Sequence, residues 1–78
     1  MNKAYGVRVT RFGETQPKSA PVLVVARDEQ DAEVIAAEAA GSNAQADVLR
    51  ELTEEEVREH GIDLQARGSI KSLPLLDL

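Results

Sequence analysis

Pro21-Val22-Leu23-Val24-Val25-Ala26-Arg27-Asp28-Glu29-Gln30-Asp31-Ala32 carries the change of pattern on which the fold of this chain turns. Its first half is apolar on both faces. That predicts a strand inside a sheet, with Pro21 tolerated at the first position. Asp28 then reads as a helix N-cap, and Glu29, Asp31 and Glu33 load the first turns with charge that suits the positive end of the helix dipole. Ala32, Ile35, Ala36 and Ala39 recur at helical spacing as a narrow stripe of small residues, which lets the helix sit close to a sheet. Gly41 is the natural residue to stop it, and Val34 lies off the stripe.

Upstream, Lys3 to Phe12 alternates, with Tyr5, Val7 and Val9 pointing one way and Arg8 and Thr10 the other. This predicts a half-buried strand. The polar stretch 13–20 predicts the loop of a hairpin. Downstream, 46–52 is a third strand candidate. Thr53 and Glu56 then form a capping box, with Leu52 and Val57 at the hydrophobic-staple positions. Gly61 ends this short helix, and Ile62 can return to Val57 in a Schellman contact. Residues 64–68 read as a connection. Residues 69–78 form a fourth apolar segment, in which Pro74 restricts 73–78 to an edge strand or a tail.

The resulting order is β-β-α-β-α-β in one domain, 1–78. It predicts an α+β two-layer fold: a three- or four-stranded, mostly antiparallel sheet with one or two helices packed on one face. Either the first or the second strand can hold the central place, and the doubly apolar second strand favours itself.

Charge is unevenly spread. The net charge is −5, but 28–63 holds 12 acidic and two basic residues, a net of −10, and the remainder is +5. The folded domain should therefore have an acidic side and a mildly basic side, and such fields bias the choice of partner. With no cysteine, neither disulfides nor thiolate metal sites are available. No apolar run reaches membrane-spanning length and the first residues resemble no signal peptide, so the expected location is cytoplasmic and no membrane is expected as a partner.

The pattern points away from catalysis. A nucleophile needs a base beside it, and the single histidine, His60, stands at a helix end with no evident partner. Glu56 with His60, and Asp28 with Asp31, have two-ligand spacings but lack a third ligand, so no metal is expected. There is no phosphate-binding glycine loop, and no cofactor is expected. Lys3, Arg8, Arg11 and Lys18 give the first strand and hairpin a basic character that could touch phosphates, although aromatic platforms for stacking are missing.

The carboxylates Asp28, Glu29, Asp31, Glu33, Glu54, Glu55, Glu56 and Glu59 can imitate the charge spacing of a phosphate backbone. In size, charge and element plan the chain resembles small acidic phage and mobile-element inhibitors, including some anti-CRISPR proteins. The resemblance rests on no signature stretch and assigns no residue roles. It implies an inhibitor or regulator that occupies a basic surface of a nucleic-acid-binding protein. The leading expectation is accordingly a non-enzymatic protein-interaction module using its acidic helical side. The alternative is a nucleic-acid-binding or assembly-accessory protein using Lys3, Arg8, Arg11 and Lys18. A third possibility is an enzyme whose site forms only in an oligomer. The apolar C-terminal segment also raises the expectation of a homodimer.

Overall fold

The structure, a computed structural model, describes residues 1–13, 16–41 and 43–72. The elements are β1 (Lys3–Arg11), β2 (Lys18–Ala26), α1 (Glu29–Ala40), β3 (Ala44–Glu51), α2 (Glu54–Glu59) and β4 (Ile70–Ser72). The strands pair antiparallel in the order β3-β1-β2-β4, giving the expected α+β domain with β1 and β2 both inside the sheet.

The hairpin is longer than its polar composition predicts. Lys18, Ser19 and Ala20 belong to β2 and pair with Arg11, Thr10 and Val9. Pro21 consequently lies within the strand instead of opening it. Its missing N–H costs β1 nothing. The Val25 N–H bonds the Ser69 carbonyl on the β4 side, and alternation turns Pro21 the same way. The third strand likewise begins at Ala44 and closes at Glu51, where 46–52 was expected.

Alternation along β1 and β2 produces two cores. On one face Tyr5, Val7, Val24 and Ala26 pack against Ala32 and Ala36 of α1, flanked by Val9, Val22, Ile35, Ala46 and Val48. Ala32 and Ala36 are buried as the small-residue stripe predicts, whereas Ala39 is exposed, as is Val34. On the other face Ala4, Leu23 and Leu52 are buried beneath Val57 of α2 and the following Ile62 and Leu64. One helix, α1, thus covers most of one face, and α2 covers a corner of the opposite one.

A β-bulge makes the second core possible. Val7 pairs with Val48 but Gly6 pairs with Arg50, so Leu49 is an extra residue with no partner on β1. Ala46 and Val48 precede it and point toward α1. Without the insertion Arg50 and Leu52 would follow them, because side chains alternate with a period of two. With it they cross to the α2 face, where Leu52 is buried. Leu49 itself stays 54% exposed.

Both helix caps form as expected. Asp28 Oδ1 accepts from the Asp31 N–H at 2.8 Å. Thr53 Oγ1 accepts from the Glu56 N–H at 3.2 Å, and the Thr53 N–H donates to Glu56 Oε1 at 2.9 Å. The Ile62 N–H reaches the Val57 carbonyl and the Gly61 N–H that of Arg58, completing a Schellman turn with Gly61 at φ 62°. Of the apolar segment 69–78, Ile70–Ser72 forms β4 on the free side of β2, and 73–78 lies outside the described residues.

Candidate functional site

Topology decides where the carboxylates go. β1 is antiparallel to β2 and β3, so the ends of β2 and β3 lie together beside the start of β1. Lys3 pairs with Ala26, and Tyr5 pairs with Glu51. Both helices begin within three residues of those strand ends. The acidic first turns, Glu29 and Asp31 in α1 and Glu54, Glu55 and Glu56 in α2, therefore emerge at one end of the sheet, from opposite faces. Tyr5 reports the same gathering. Burial raises its pKa most, Lys3 opposes this, and Glu51, Glu29 and Asp28 add to the rise.

Three of the eight expected site residues are engaged within the chain, Asp28 through its cap and Asp31 and Glu56 through ion pairs. Asp31 accepts from Arg67 Nε at 2.9 Å and from the Arg27 N–H at 3.0 Å, and its side chain is only 11% exposed. Hydrogen bonds from Arg67, then from the Arg27 backbone, lower its pKa. This pair ties the 64–68 turn to α1 across 36 positions of sequence. Glu56 is held by both guanidinium nitrogens of Arg50, one at 2.6 Å, and by the Thr53 N–H. Those contacts, Arg50 first, bring its carboxyl down to about 2. Asp28 spends one oxygen on its cap. Glu29, Glu33, Glu54, Glu55 and Glu59 are exposed, and no carboxylate–cation pair involves them among the described residues.

The basic residues separate. Lys3 stands at the acidic end, 3.6 Å from Glu51. Arg8 lies on the α2 face, in register with Asp47. Only Arg11 and Lys18 come together, as cross-strand partners at the other end of the sheet on the α1 face. There they edge an open groove of about 410 Å³ between β2, β4 and the end of α1, floored by Val9, Ala20, Val22, Ala36, Ala39, Ala40 and Ile70. Local pattern did not reveal this groove. Its one trace is the run of small residues at the end of α1, which leaves room above the sheet.

No group of three or more metal-ligating side chains occurs among the described residues. Glu56 faces Arg50, and the His60 carbonyl accepts from Lys71 Nζ at 2.7 Å. No described helix is long and apolar enough to cross a membrane. Fold and charge thus define a small α+β domain that is acidic at one end and grooved at the other. No family model, curated protein or solved structure matches the chain.

Proposed function

We propose that this domain is a non-enzymatic interaction module that docks a basic surface of another protein onto the acidic end of its sheet. The observation that carries the reading is the convergence of both helix starts there, with Glu29, Glu54 and Glu55 exposed. Asp28, Asp31 and Glu56 are bound into caps and ion pairs, and the exposed carboxylates remain available to a cationic partner. Such a surface competes with a phosphate backbone by charge. The finer proposal is an inhibitor or regulator of a nucleic-acid-binding protein, in the manner of the anti-CRISPR proteins that the chain resembles in size and plan. Direct binding of nucleic acid by Lys3, Arg8, Arg11 and Lys18 has less support, because the four do not form one patch.

Affinity capture with the intact chain as bait tests the reading, with a Glu54→Lys, Glu55→Lys, Glu59→Lys triple variant as the control. These exposed positions lie outside both cores, so the fold should survive. The expected result is a partner held by the wild type and lost by the variant. Equal retention by both would refute the acidic end as the docking surface.

A further inference from the structure

We propose that the outer edge of β3 pairs with the same edge of a second copy of this chain, joining two four-stranded sheets into one about a two-fold axis at Ala46. β3 closes one side of the sheet, and among the described residues no strand lies beyond it. Its ladder to β1 fixes which backbone groups are left over. The Phe12 N–H bonds the Asn43 carbonyl at 2.9 Å, one step past the Arg11–Ala44 pair. Bonding alternates along an antiparallel strand, so Gln45 and Asp47 also face β1, and Ala44, Ala46 and Val48 face outward. Three N–H and three C=O groups therefore line this edge, at every second residue.

That pattern is complementary to itself. With the axis at Ala46, Ala46 meets its own copy and Ala44 meets Val48 on either side. Each of these pairs exchanges two hydrogen bonds, so every outward group of the three residues is used. On the α1 face the opposed side chains are alanine and valine, half-buried and uncharged. On the open face each Gln45 stands opposite an Asp47, so an amide donor meets a carboxylate, twice by symmetry. Other registers are poorer. An axis at Asp47 sets two carboxylates against each other. An axis at Val48 sets Ala46 against Arg50, whose backbone faces β1 because the Leu52 N–H two residues on bonds the Ala4 carbonyl. The same patch on both copies is what a closed two-fold pair requires.

Sheet edges that stay single are blunted by lysine, proline, bulges or brevity. β3 has neither lysine nor proline and runs eight residues, and its bulge at Leu49 lies beyond the paired run 44–48. β4, at the opposite side of the sheet, is only three residues long. This inference does not depend on the role of the acidic end.

Amide hydrogen exchange on the full chain, read by NMR at several protein concentrations beside sedimentation equilibrium, tests it. The Ala44, Ala46 and Val48 amides should gain protection in proportion to the dimer formed. Gln45 is exposed, so charge there should leave the fold intact. Gln45→Lys should tighten the dimer and Gln45→Glu loosen it, each by roughly fivefold, because each change faces Asp47 twice. Added salt should strengthen the pairing, since both copies carry a net charge of −5, whereas docking at the acidic end weakens with salt. A chain that stays monomeric into the millimolar range overturns the proposal. So does a dimer that leaves the three amides unprotected, or one indifferent to the sign of charge at position 45.

Discussion

Glu56 closes the capping box of α2 and also holds Arg50 of β3, so one carboxylate joins a helix start to a strand. Its pKa falls from the ordinary 4.5 to about 2 on folding. A depressed carboxyl contributes stability above its unfolded pKa and loses it as pH falls through the folded value. The loss should therefore occur between about pH 4.5 and 2. Thermal melts of Glu56→Gln should show a shallower acid dependence than the wild type across that range, with lower stability at neutral pH. Thr53→Ala removes only the reciprocal half of the cap and should cost about 1 kcal/mol. Val57→Ala removes the staple, the Schellman contact and packing against Ala4, Leu23 and Leu52, and should cost about 2 kcal/mol or more. Chemical denaturation of the two variants should rank them in that order.

α1 holds its face of the sheet through alanines rather than large side chains. Ala32 and Ala36 are almost wholly covered, against Val7 and Val24 on the strands. A close-packed site of this kind has no room for added volume. Ala32→Leu should lower stability by about 1–3 kcal/mol, read from urea midpoints. Val34→Ala, on the same helix but 49% exposed, should leave the midpoint nearly unchanged. The contrast sets added volume at a covered position against removed volume at an exposed one, with the helix cap untouched in both. Gly6 in β1 marks a different limit. An added methyl there would meet Leu52 and the Arg50 carbonyl at an ordinary 3.8 Å, so packing alone does not require glycine opposite the bulge.

Charge polarity belongs to the whole molecule. Glu29, Asp31, Glu51, Glu54, Glu55 and Glu56 collect at one end of the sheet and the Arg11–Lys18 pair stands at the other, although neither end is contiguous in sequence. Binding through the acidic end should weaken as salt rises, since exposed charges are screened beyond about 8 Å at physiological ionic strength. With a captured partner, titration calorimetry at two salt concentrations should show that weakening for the wild type. Arg11→Glu with Lys18→Glu should leave the same affinity unaltered or raise it, because these positions lie at the far end. A loss of affinity there comparable to that of the triple lysine variant would move the docking surface to the groove.

The element order, both helix caps, the staple on Val57 and the two-faced apolar character of β2 could all be read from neighbouring residues. Each depends on side chains within a few positions of one another, and local backbone chemistry specifies them. The carboxylates and cations could be read too, but not their grouping. Asp31 finds Arg67 36 positions away, and Glu56 finds Arg50 only because an unpaired Leu49 turns that arginine to the α2 face. Polar composition suggested a loop at Lys18–Ala20, whereas pairing with β1 draws those residues into a strand. Tertiary structure alone decided the β3-β1-β2-β4 order, and with it the meeting of both helix starts at one end and the groove at the other. Strand partnership and register arise from contacts between distant segments, and a pattern that repeats every two residues cannot say which strand it will lie against.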